Sequence, residues 1–220
     1  GDGDASAAEF VLDADELGDE EERWVPPPEF FELANYDYML SDSPGKASSY
    51  ILDLMAFLKS TFEAFTNLPI KVAQTGCLSS CKYISGKLLN ILTEEDVKAI
   101  SHGFLQQFNL DLMQCEMFAG SEPVKEFEEG ALQACFTELR QIMDLFIEFD
   151  SWTTYFAEYG KNESRYLRVT PQTALTLLDK LVRGDSKKNI FSNILSKNER
   201  EKKQRIETIQ KKLRQLITNS

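Results

Sequence analysis

The chain has a single histidine, His102, and four cysteines, and that scarcity removes most metal and nucleophilic chemistry at the outset. Structural zinc wants four close Cys or His ligands in paired spacing, and Cys77-x-x-x-Cys81 with one histidine does not supply them. No phosphate-cradling glycine loop, GxSxG or HExxH occurs. Carboxylates are so abundant that no pair stands out as an acid-base couple. The reading is a protein that is not an enzyme and has no metal or cofactor, with its cysteines buried as free thiols in a reducing compartment. Uninterrupted apolar runs near bilayer length are also missing, as is a signal-peptide pattern, so the expected setting is cytoplasmic.

Positive charge is scarce everywhere except at one end. The net charge is −12. Residues 1–28 hold ten acids against Arg23 alone, while residues 186–220 hold ten Lys and Arg against Glu199, Glu201 and Glu207. The basic end admits a nucleic-acid or anionic-membrane partner. The interrupting glutamates and the acidic remainder favour a solvated helix face, so no nucleic acid is expected and membrane contact only indirectly. Residues 1–28 are acidic and broken by Gly and Pro, which predicts no independent fold. Two apolar clusters interrupt the acid, Phe10-Val11-Leu12 and Trp24-Val25. Two readings stay open, a strand that docks in a groove through Phe10, Leu12, Trp24 and Val25, or a tail.

From Glu29 to the end the pattern is helical, and no strand pattern occurs. The spacing predicts a short segment over Glu29 to Leu40, a turn over Ser41 to Lys46, and helices over about 46–67, 69–92, 93–118 and 128–149. An aromatic group at Trp152, Tyr155, Phe156 and Tyr159 continues to a stop at Gly160, reading as a plug at one end of a bundle. Thr170-Pro171 starts a helix ending at Gly184, and Ser196 with Glu199 caps a last one over Lys197 to Thr218. Gly76 and Gly86 would weaken the second long helix or admit a close neighbour. Thr93 with Asp96 reads as the cap of the central helix. The fold class is all-α, a mostly antiparallel helical bundle over 29–220.

The central stretch Thr93 to Phe118 organises this reading. Val97, Ile100, Phe104, Phe108, Leu112 and Cys115 form one apolar stripe, and Leu105, Leu110, Met113 and Met117 lie partly outside it. Uncharged amides, Gln106, Gln107, Asn109 and Gln114, sit between the rows where Lys and Glu would be usual. The stretch is either a central helix touching neighbours on several sides or a helix that meets a partner.

ELANYDYMLSDSPGKASSYILDLMAFLKSTFEAFTNLP, KVAQTGCLSSC, QQFNLDLMQCEMFAGSEP, YLRVTPQTALTLLDKL and the basic KNEREKK resemble the C-terminal region of the exocyst subunit family called Sec-fifteen, or exocyst complex component six. The likeness runs from about Glu29 onward. It implies helical bundles stacked in a rod-like vesicle-tethering subunit that acts as effector of a GTP-loaded Rab GTPase of the recycling-endosome type. The implied location is at secretory and recycling vesicles and plasma-membrane sites of exocytosis. Other exocyst subunits, a Rab exchange factor and type V myosin are the further partners implied. The QFNLD segment matches the part of the family associated with Rab. Leu105, Asn109, Leu112, Met113 and Glu116 fall on one side of the helix there and form the expected contact. Residues 1–28 do not match that family, where another helix would precede. They read as a docking motif appended from a binding partner, the alternative being a natural variant or splice product.

Overall fold

The computed structural model describes residues 46–188 and 197–220. The expectations for residues 1–45 lie outside the described residues, as does the Ser196 cap. Among the described residues there are helices and turns and no strand: α1 (Ser49–Ala64), α2 (Ile70–Thr93), α3 (His102–Gly120), α4 (Thr137–Ile147), α5 (Ser151–Glu158), α6 (Pro171–Lys188) and α7 (Lys197–Thr218). They pack as an all-α bundle around one continuous apolar core.

The first helix pair follows directly from the sequence pattern. Ile51, Met55, Leu58 and Phe62 recur every three or four residues and are buried, and α1 packs them against α3. The Phe62 and Phe118 rings lie 6.5 Å apart across that contact. A side chain such as Phe62 contributes about 2 kcal/mol by leaving water. A 3-10 turn, Phe65–Asn67, follows, and Pro69 forces Leu68 to an extended ψ of 154°, which ends the helix. In α2, Phe62 stands 3.8 Å from where a Cβ on Gly76 would be, an ordinary contact, and open space surrounds Gly86.

The largest departure from the pattern lies between α2 and α3. Thr93 is the last residue of α2, and its hydroxyl donates to the Leu89 carbonyl at 3.0 Å. Residues 94–101 form a connector, and Ser101 is the cap, accepting from the Phe104 amide at 3.0 Å. Val97, Ala99 and Ile100 are buried although they are not helical. They are buried because the connector lies on α6: the Ile100 amide donates to the Lys180 carbonyl at 3.0 Å. A Cβ on Gly184 would collide with the Ile100 carbonyl. Gly184 therefore does not stop α6, which continues to Lys188; it makes the groove that the connector fills.

The helix expected over 128–149 begins late. Gly130 has φ +78°, outside right-handed helical space, and turns and a 3-10 segment, Gln133–Phe136, precede α4. Asp150, with φ 54°, divides α4 from α5. The aromatic group packs ring on ring: Phe146 to Trp152 at 5.2 Å and Trp152 to Tyr155 at 5.9 Å, both edge to face. The buried Tyr155 hydroxyl donates to the Val169 carbonyl at 3.0 Å. Gly160, at φ 82°, follows as expected. Thr170 caps α6, accepting from the Thr173 amide at 3.2 Å. Ile209 and Leu213 bury α7 against α6, and the Gln210 amide donates to Asp179 at 2.8 Å.

Candidate functional site on helices α3 and α4

α3 has two unlike sides. Phe104, Leu105, Phe108, Leu112, Cys115, Phe118 and Ala119 face the core. Asp111 shares that side, only 3% exposed, and is satisfied by the start of α1. It accepts from the Ser48 amide at 2.6 Å, the Ser48 hydroxyl at 2.8 Å, Gln107 at 3.2 Å and Tyr50 at 3.4 Å. A carboxylate on one helix thus caps another, placing negative charge at the positive end of α1. Burial pushes the Asp111 carboxyl up, and the donors from Ser48, Gln107 and Tyr50 pull it back. The phenol of Tyr50 is raised well above its ordinary value by burial and by the Asp111 charge.

The outer flank of α3 is organised by a residue that the pattern did not single out, Arg140 of α4. Its Nε donates to both Glu116 carboxylate oxygens at 3.1 Å, and one terminal nitrogen also reaches Glu116. The other terminal nitrogen donates to Asn109 Oδ1 at 2.8 Å and to Asp144 at 3.3 Å. One planar guanidinium therefore fixes Asn109 and Glu116 relative to α4. Hydrogen bonding to Glu116 raises the Arg140 pKa, and burial raises that of Asp144. The Asn109 amide nitrogen keeps its donors without a protein acceptor among the described residues. Beside this network Met113 is 44% and Met117 64% exposed.

The five residues expected to form a partner contact are thus divided. Asn109 and Glu116 belong to the Arg140 network and Met113 is exposed beside it, whereas Leu105 and Leu112 are core residues. Their spacing put them on the same half of the helix, but the two leucines are buried in the core. Arg140 and Asp144 had a signal in sequence, an i, i+4 pair flanking the apolar stripe of α4. Asp111 had one too, an acid amid apolar positions, which needs donors from elsewhere. Phe10, Leu12, Trp24 and Val25 lie outside the described residues.

Cys77, Cys81 and Cys115 are buried and Cys135 is partly so, all as free thiols. Burial pushes Cys115 up to about 12, and the Cys77 thiol together with burial pushes Cys81 up as well. Cys81 and Cys115 are thus held as thiols and pack as small apolar groups. No cluster of His, Cys, Asp or Glu able to hold a metal occurs among the described residues. No helix among them is long and apolar enough to cross a membrane.

Fold and surface together define an all-α bundle module whose distinctive feature is a polar network framed by exposed methionines on two adjacent helices. The sequence matches the family described as Exocyst complex subunit Sec15 C-terminal over residues 28–180, and the chain belongs to that family. It is 51% identical over 189 residues to Exocyst complex component 6 of Canis lupus familiaris, covering 86% of this chain and 23% of the relative. It is 51% identical over 191 residues to Exocyst complex component 6B of Mus musculus, with 87% and 23% covered. With Exocyst complex component 6 of Drosophila melanogaster the identity is 46% over 188 residues, with 86% and 24% covered. The chain therefore spans about a quarter of the length of these relatives. A crystal structure of a Sec15 C-terminal domain superposes with a TM-score of 0.42 at 40% identity, over 50% of this chain and 37% of that one.

Proposed function

We propose that this chain is a non-catalytic adaptor of the exocyst, joining a GTP-loaded Rab GTPase of the recycling-endosome type to vesicle tethering on the cytoplasmic side. Family membership supports the exocyst part of the reading. The observation that carries the Rab part is the α3–α4 face, where Arg140 holds Asn109 and Glu116 beside the exposed Met113 and Met117. An active Rab offers an apolar, aromatic switch surface, and a complementary effector offers exposed apolar side chains with a few fixed hydrogen-bonding groups. Methionine suits such a surface because it is flexible and polarizable. Asn109 supplies the register through its unused amide donors, and Leu105 and Leu112 support the face from behind. In this reading other exocyst subunits, a Rab exchange factor and type V myosin are further partners, and contact with the bilayer runs through the Rab.

The test is capture by immobilised Rab in its two nucleotide states. Binding is expected with GTP and not with GDP, and equal capture in both states sinks the effector reading. Asn109→Ala is expected to weaken the GTP-dependent binding about tenfold by removing one hot-spot contact. Its helical melt should shift only slightly, since the lost bond to Arg140 is worth about 1 kcal/mol.

A further inference from the structure

The acidic segment at the start of the chain lies ahead of the family match, which begins at residue 28, and the α3–α4 face gives it no role. Its sequence sets apolar anchors in acid: Phe10-Val11-Leu12 runs into Asp13, Asp15 and Glu16, and Trp24-Val25 follows Asp19 to Glu22. At the end of α4 an exposed apolar group stands next to a basic helix, with Glu148 and Asp150 on either side of the ring. Phe149 is 96% exposed, and Ile147, two residues before it, is exposed as well. The next residue, Asp150, accepts from Arg205 of α7 at 3.4 Å, so the bare ring stands beside that helix. Away from its buried stripe α7 exposes Lys203, Arg205, Lys211, Lys212 and Arg214. Over Lys197 to Ser220 there are eight Lys and Arg against three Glu. Lys212 also lies over the Phe156 ring at 5.3 Å, which ties the basic side to the aromatic cluster.

We propose that residues 9–25 dock in cis on the surface made by Phe149, Ile147 and the basic side of α7, with Phe10, Leu12, Trp24 and Val25 as anchors. Charge decides for this occupant. The chain between its two charged ends is itself strongly acidic and repels an anionic bilayer, whereas the acidic segment is drawn to α7, where the basic residues are densest. Covalent attachment adds an effective concentration on the order of millimolar. About 20 residues separate Val25 from Lys46 and can span up to roughly 70 Å, so the tether does not limit reach. Ile147 ends α4, but neither it nor Phe149 nor α7 belongs to the network of Asn109, Glu116, Arg140 and Asp144, and this proposal stands or falls independently of Rab binding.

Zero-length carbodiimide coupling of the full chain, followed by peptide mapping, reads the contact. The acids of Asp13 to Glu22 should couple to Lys203, Lys211 and Lys212 in preference to the equally exposed Lys59, Lys71 and Lys98, and the preference should fade in high salt. Phe149→Ser with Arg205→Glu should lower that coupling several-fold while far-UV ellipticity is unchanged, because both side chains are exposed. Phe10→Ser with Trp24→Ser should do the same from the other side. Coupling that simply follows lysine exposure, or that persists in both variants, overturns the proposal. A mixture of light and isotope-heavy chains identifies a second copy as occupant if the coupled peptides are mixed, and that also overturns it. So does capture of the full chain by phosphatidylserine vesicles without any coupling of the segment.

Discussion

Lys180 and Arg140 each tie helices together, and they do so in opposite surroundings. Lys180 is 3% exposed and donates to backbone carbonyls, Leu92 at 3.0 Å and Glu94 at 2.5 Å, at the end of α2. Its own carbonyl takes the Ile100 amide. Arg140 keeps about a quarter of its side chain in water and donates to side-chain oxygens. A buried cation that meets only fixed carbonyls cannot be reached by a visitor and serves the fold. A half-buried one that meets an amide and two acids at the surface costs less to hold and can present those groups outward. The difference separates a buried clamp from a half-exposed surface network within one small bundle.

Four changes would sharpen or break that contrast. Gly184→Ala should be the most damaging, about 3 kcal/mol, because its Cβ meets the rigid Ile100 backbone. A urea midpoint that moves less than a surface substitution would show that the connector slides freely. Lys180→Met should cost about 2 kcal/mol by leaving the Leu92 and Glu94 carbonyls without their donor, read in the same titration.

A third change is in pH. Burial holds the Lys180 amine down at about 8 from its usual 10.5. Between those values the unfolded chain binds more protons than the folded one, so stability should rise with pH there, on the order of 1 kcal/mol per unit. Subtracting the Lys180→Met curve isolates that rise from the tyrosines, and parallel curves would remove the buried-cation account. Arg140→Gln should matter least to stability, under about 1 kcal/mol because the pair is partly solvated. Yet it should lower GTP-dependent Rab capture, since Asn109 and Glu116 lose their common support. Loss of fold with this variant would make Arg140 a second Lys180.

Much of the fold was legible because most apolar residues that follow a 3.6 period do lie on helices, as in α1, α4 and α7. The connector was misread for a physical reason. Val97 and Ile100 extend the stripe of α3 in number, but they belong to the connector, and Ile100 is held in the α6 groove at Gly184, far away in sequence. Gly184 was misread by the same logic, since a glycine late in a helix looks like a stop and here makes room. The outer flank of α3 was partly legible: Asn109 and Met113 were visible as neutral and apolar groups beside Glu116, and all three lie outside the core. Which leucines stay uncovered depends on α1 and α4, and the Arg140 fork depends on where α4 begins, which the left-handed Gly130 delays.

The bond from Asp111 to Ser48 decides how the chain enters α1. By fastening the first turn of α1 to the flank of α3, it gives the preceding chain a fixed point of departure beside Gln107, whose amide holds the Lys46 carbonyl at 3.2 Å. The entry into α1 is therefore set by a carboxylate 63 residues further along the chain, and Asp111→Ala would free Ser48 and leave Gln107 alone to hold the Lys46 carbonyl.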